Sequence, residues 1–165
     1  SKGYEVVVHT FHQTLAHPLL KEYLASIERF PSTNSFIYEL CSFRRWLAYD
    51  SSIKDEDSIF ICDYDVLNLA LTSLPQYNKP IAYYGDGVIH LDPTTIKRFI
   101  HSVISIPDWS IDPKHNSDLT LWLHYFKIPR AEEKLVGEWP DTSKPLIHFV
   151  GNSTKRKLIC FKSPL

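Results

Sequence analysis

No methionine occurs anywhere in the 165 residues, a lack expected of a fragment or of a chain missing residues of its natural protein. Charge of one sign is lacking too. With 18 Lys+Arg against 19 Asp+Glu the net charge is -1, so no overall field draws the chain to nucleic acid or an anionic membrane, and any anion site must be local. No apolar stretch approaches the roughly 20 residues of a membrane span, and no signal peptide is visible. Repeats, low-complexity segments and clear linkers are likewise missing. Cysteine is scarce: Cys41, Cys62 and Cys160 are odd in number and lack metal-type spacing. Cys62 lies in an apolar run and Cys41 in a helical pattern, so both read as buried free thiols, and a reducing, cytoplasmic setting is expected. The sequon Asn152-Ser153-Thr154 falls in a loop read below as ligand-binding, where a glycan would block binding, and is taken as accidental.

What is present is the composition of an ordinary globular protein, 44% apolar and 22% charged, and the length suits one domain over residues 1–165. Aromatics reach 13%. Trp46, Trp109, Trp122 and Trp139 are available to the core or to stack on a sugar ring.

Tyr4 to Thr10 reads as a buried first strand. Pro18 opens a helix through Leu19, Leu20, Tyr23, Leu24, Ile27 and Phe30, which Pro31 ends. Ser32-Thr33-Asn34-Ser35 caps a second helix carrying Phe36, Leu40, Phe43 and Leu47, to about Asp50. Strands are expected at Ser58 to Cys62, Ile81 to Tyr84 and Val88 to Leu91, the last two around Gly85-Asp86-Gly87. Asp92-Pro93-Thr94-Thr95 caps a helix through Ile96, Phe99, Ile100 and Val103. Asn116 to Phe126 reads as helical and Leu146 to Val150 as a late strand. Strands alternating with helices predict a single α/β domain.

The apolar run Ser58 to Cys62 ends abruptly in Asp63-Tyr64-Asp65, as a central strand does when its carboxyl end faces a ligand crevice. Carboxylates at i and i+2 repel unless a cation shares them. Oxygen donors suit Mg²⁺ or Mn²⁺, which bridge the oxygens of a diphosphate. The alternative is that Asp63 caps the strand end and Asp65 is solvated. At the far end, His148-Phe149-Val150-Gly151-Asn152-Ser153-Thr154-Lys155 offers an imidazole ligand, a glycine that lets backbone approach phosphate, and a cation. A lone strand histidine is more often a hydrogen-bonded core residue, and it is Gly151 and Lys155 behind it that favour the ligand reading.

This combination resembles the retaining GT-A glycosyltransferases of the glycogenin and bacterial galactosyltransferase type, which pair a strand-end DxD with a His-Phe-x-Gly loop and a lysine. The resemblance implies a three-layer α/β/α sandwich with a central, mostly parallel sheet. It implies transfer of a sugar from a nucleotide-diphosphate donor, a UDP-sugar, to a glycan or other hydroxyl acceptor. By the same resemblance Asp63, Asp65 and His148 hold Mn²⁺ (or Mg²⁺), and Gly151 and Lys155 hold the diphosphate. Tyr64 lies within the donor site, and Thr10 and Phe11 after the first strand meet the nucleotide base. The family's basic residue on the helix before the DxD strand matches Arg45 within Ser42-Phe43-Arg44-Arg45-Trp46, with a solvated helix face as the alternative. Lys155 stands one residue later than in the family loop, and Arg156-Lys157 replaces Pro-Trp.

Asp86 and Asp118 are candidate catalytic acids facing the acceptor. The plainer readings are turn chemistry for Asp86 and helix N-terminal charge for Asp118. With retention of configuration no general base is needed; with inversion Asp118 is the best base. Two other functions compete. A haloacid dehalogenase-type phosphatase would use Asp63 as nucleophile and Asp65 as acid/base, but Leu67 stands where Thr or Val is expected and the later acidic pair follows too soon. A non-catalytic carbohydrate-binding domain would make the DxD and His148 structural.

Overall fold

The computed structural model describes residues 10–53, 59–62, 66–68, 81–85, 88–106, 118, 121–122, 126–128, 135–138, 141 and 143–148. Its helices are α1 (Leu20–Ile27), α2 (Phe36–Ser52) and α3 (Pro93–Ser105). Its strands are β1 (Ile59–Cys62), β2 (Val66–Asn68), β3 (Ile81–Gly85), β4 (Val88–Leu91), β5 (Val136–Glu138) and β6 (Leu146–His148). Helices and small sheets make this a mixed α/β protein. Among the described residues no helix is long and apolar enough to cross a membrane.

The chain divides into two compact units. The first comprises Ser1–Tyr4, Phe60–His90 and Pro129–Leu165; the second comprises Glu5–Ile59 and Leu91–Ile128.

The second unit is helical among its described residues. Helices α2 and α3 begin where sequence chemistry starts them. The Ser35 hydroxyl accepts the Tyr38 N–H at 3.3 Å to cap α2, and Asp92 Oδ1 accepts the Thr95 N–H at 2.6 Å to cap α3, with Pro93 following. Both devices satisfy an amide that has no partner inside the helix. Residues at helical spacing then turn inward: Tyr23 and Ile27 from α1, Phe43, Trp46 and Leu47 from α2, and Ile96, Phe99, Ile100 and Val103 from α3. Leu121 and Trp122 complete this core. Its centre is aromatic: Phe99 and Trp122 stack with centroids 4.2 Å apart, and Trp46 meets both at 5.1 and 5.0 Å. Trp46 and Trp122 therefore belong to the core and have no face left for a sugar; Trp109 and Trp139 lie outside the described residues.

Several expectations shift. Helix α1 starts at Leu20 and stops at Ile27, three residues before Phe30, which is buried on the exit turn. Helix α2 runs to Ser52. Phe36, expected on its buried face, is 50% exposed, and Glu39 is buried instead. The reason is local: Ser32 Oγ and Asn34 Nδ2 both donate to Glu39 Oε1, at 2.5 and 2.7 Å, so the loop before the helix folds over that carboxylate. The segment expected as a helix over Asn116 to Phe126 is helical at Asp118, but the Phe126 N–H bonds the Leu121 carbonyl at 3.0 Å, a widened i→i+5 turn. Cys41 and Cys62 are exposed, which corrects their reading as buried. The strand period puts Ile61 inside and its neighbour Cys62 outside.

In the first unit, one sheet has the order β1-β4-β3 and the other β2-β6-β5. In the second sheet β6 is central, antiparallel to β2 and parallel to β5, so this sheet is mixed. Strands β2 and β5 were not foreseen; at three residues each they carry too little periodicity to be recognised. Val88, Leu135, Val136 and Leu146 form the buried cluster, with Phe60 and Val66 packed against it. Gly137 is required where β5 passes Asp141, because a Cβ there would lie 2.9 Å from the Asp141 carbonyl oxygen.

Candidate functional site

Asp63, Tyr64, Asp65, Asp86, Gly151 and Lys155 lie outside the described residues, as do Tyr4 to His9 of the expected first strand. Their neighbours are described. Strand β1 ends at Cys62, and β2 begins at Val66, the residue after Asp65. Register then links the two halves of the candidate site: Val66 pairs with His148, Leu67 with Ile147 and Asn68 with Leu146. On the other side of β6, Glu138 pairs with His148. The strand that follows the DxD triplet is thus bonded directly to the strand that ends in His148.

Thr10 is extended and precedes a 3₁₀ turn over Phe11–Thr14, where its own N–H donates to Gln13 Oε1 at 2.7 Å. Thr10 and Phe11 accordingly belong to a capped turn that packs on α2, with Arg44 Nε donating to Thr14 Oγ1 at 2.6 Å. His17 ties the same region down. Its Nδ1 accepts the Leu19 N–H at 3.1 Å, so Nε2 carries the proton it presents to Asp50 Oδ2 at 3.1 Å. With both nitrogens engaged, His17 is a structural histidine.

Arg45 and Asp118, singled out separately in the sequence, are bonded to each other within the second unit. Asp118 is 3% exposed. Its Oδ2 accepts from Arg45 Nε at 2.9 Å, from an Arg45 terminal nitrogen at 2.6 Å and from Trp46 Nε1 at 2.8 Å. This is a charge-assisted anchor between α2 and the start of the 118–122 segment. The Arg45 side chain remains 28% exposed, so water or a ligand can still reach its outer edge. The charge of Asp118 is felt nearby. Burial chiefly, and then Asp118, raise Tyr23 well above its ordinary value of 10.0, with Arg45 opposing. Tyr38, 55% exposed, is shifted up by burial, Asp118 and Glu39, against a Ser42 hydrogen bond and Arg45. Trp46 as a partner of Asp118 was missed in the sequence, where only its position beside Arg45 could have suggested it.

Among the described residues, no group of three or more His, Cys, Asp and Glu side chains is placed to hold a metal ion. The donor chemistry of Asp63, Asp65 and His148, two carboxylates and an imidazole, fits Mn²⁺ or Mg²⁺. A shallow depression runs along α3, lined by Thr94, Lys97, Arg98, His101, Ser102 and Ser105. It contains none of the candidate residues and follows one solvated helix face.

No protein-family model matches the chain, and no curated protein or solved structure matches it significantly.

Proposed function

We propose that the chain is a metal-dependent glycosyltransferase of the GT-A architecture, a three-layer α/β/α sandwich with a central mostly parallel sheet, working in the cytoplasm on a UDP-sugar. The observation that carries this reading is the pairing of Val66 with His148. Val66, the residue after the DxD triplet, and His148 stand 82 positions apart in sequence and are partners in one sheet, which supports a cation shared between the two motifs.

In this reading Asp63, Asp65 and His148 hold the divalent cation, and Tyr64 lies within the same turn. The cation supplies charge to the leaving diphosphate when bound. Gly151 lets the backbone approach that diphosphate, and Lys155 adds a positive charge to it as the bond to the anomeric carbon breaks. The acceptor hydroxyl oxygen bonds to the anomeric carbon, and its proton passes to the diphosphate if configuration is retained. Asp118 has its Oδ2 fully committed to Arg45 and Trp46, so its part is to hold Arg45; Asp86 is left as the acid at the acceptor. The free, exposed thiol of Cys41 is compatible with a reducing compartment.

Calorimetric titration of UDP with and without Mn²⁺ tests this. Metal-dependent binding is expected, and it should be lost in Asp65→Ala and His148→Ala variants that keep the parent's circular dichroism. Absence of binding by UDP, GDP and CDP in the presence of Mn²⁺ would refute the proposal.

A further inference from the structure

Exposed positions of a helix accept either sign of charge, and a chain of net charge -1 has no general reason to sort them. Helix α1 exposes Lys21 beside Glu22, and the exposed residues of α2 are uncharged. Helix α3 differs. Its exposed residues are Thr94, Lys97, Arg98, His101 and Ser105, with no carboxylate among them. Their spacing puts them along one side of the helix, where Ser102 joins them in lining the shallow depression. On the opposite side Ile96, Phe99, Ile100 and Val103 are locked in the core, which fixes the basic side toward solvent. Neither Arg98 nor His101 has an acidic partner among the described residues.

We propose that this outer face of α3 docks an acidic segment of a partner protein. The ground is charge complementarity. In a chain so near neutrality any attraction for an anion must be local, and α3 is where the described helices concentrate one sign. Arg98 offers a planar fork that can take a carboxylate by two parallel hydrogen bonds. Lys97 adds a second positive charge, and the His101 imidazole and the hydroxyls of Thr94, Ser102 and Ser105 supply further donors. Shape favours an extended chain over a small ligand. From Thr94 to Ser105 the helix rises about 17 Å, the reach of about five residues of extended chain. Among the described residues the lining comes from this one helix, so a ligand lies along it and is not enclosed by it. An anionic membrane fits less well. The face exposes no apolar residue to insert, and its cations are fewer than the roughly four to eight of a lipid-binding basic cluster.

The test follows the anisotropy of a fluorescein-labelled hexaglutamate peptide as the full chain is added at low ionic strength. Saturable binding is expected, weakening as salt screens it. The double reversal Lys97→Glu/Arg98→Glu should lower affinity by about tenfold or more, since it replaces two attractions by two repulsions. Lys21→Glu, a reversal of charge on α1, should stay within about twofold of the parent. No saturable binding by the parent, or an equal loss in Lys21→Glu and the double variant, overturns the proposal. So does a parent that ignores hexaglutamate but binds tripolyphosphate or phosphatidylserine vesicles, which would assign the face to phosphate or to a lipid surface. Should the double reversal not keep the parent's circular dichroism, Lys97→Gln/Arg98→Gln replaces it; a loss of affinity there supports the docking, and parent-like affinity overturns it. UDP and Mn²⁺ are left out throughout, so the outcome is independent of the glycosyltransferase reading.

Discussion

Arg45 and Asp118 are 73 positions apart, and their ion pair sits where one partner is buried and the other partly wet. That asymmetry decides which substitution costs more. Arg45→Ala strands a carboxylate at 3% exposure with Trp46 as its remaining described partner, whereas Asp118→Asn leaves a guanidinium that water can reach. We expect Arg45→Ala to cost about 3 kcal/mol, the lower end for breaking a buried pair, and Asp118→Asn to cost less, both read from urea unfolding. Tyr23 yields a pH dependence. Its hydroxyl donates to the Phe43 carbonyl at 3.1 Å, and its ionisation is pushed well above 10.0 in the folded state. The native state then holds a proton that the unfolded state releases. Its contribution is therefore fully present below pH 10.0 and declines as pH climbs from there toward the raised folded value. Tyr23→Phe should remove this part of the alkaline decline, at a cost of about 1 kcal/mol near neutrality for the lost hydrogen bond. Equal alkaline slopes in parent and variant would contradict it.

At the scale of elements, the helices were legible because their signals are local. Ser35, Asp92 and Pro93 mark starts that any chain would use, and Tyr23, Ile27, Phe99 and Val103 repeat at the spacing of one helical face. Asp92→Ala should accordingly lose about 1 kcal/mol, measured as a shift in denaturant midpoint without change in slope. Phe36 and Glu39 exchanged their expected places because Ser32 and Asn34 bond back to Glu39, a contact of the loop that periodicity does not register. The strands were less readable. β1, β3 and β4 showed as apolar runs, but β2 and β5 are three residues each and become strands only by bonding to β6. Gly137→Ala should destabilise by about 1–3 kcal/mol, since the new Cβ meets a backbone oxygen that cannot rotate aside. Retention of parent stability would mean that the Asp141 turn yields.

Over the whole molecule, the proposed function needs the two motifs in combination. If they share a nucleotide and a cation, UDP and Mn²⁺ together should raise the thermal midpoint while either alone does little. A ligand at 100 times its Kd contributes about 2.7 kcal/mol, worth several degrees for a chain of this size. Asp65→Ala should abolish the shift, and a shift that persists in that variant would place the nucleotide elsewhere. The same scale explains why Arg45 and Asp118 looked in sequence like two independent site residues, one for the donor and one for the acceptor. Each has a good local reason to be charged, and only packing of α2 against the 118–122 segment turns them toward one another.

By itself the sequence determined the mixed α/β class, the starts of α2 and α3, the apolar faces of α1 and α3, and the presence of two ligand-like motifs, because caps, periods and motif chemistry act over a few residues. Tertiary structure alone decided that Cys41 and Cys62 face solvent, that Trp46 and Trp122 are core, that Asp118 is held by Arg45, and that Val66, His148 and Glu138 stand in one row. Those outcomes depend on contacts between segments far apart in the chain, and sheet register and side-chain pairing have no local signature from which they could be read.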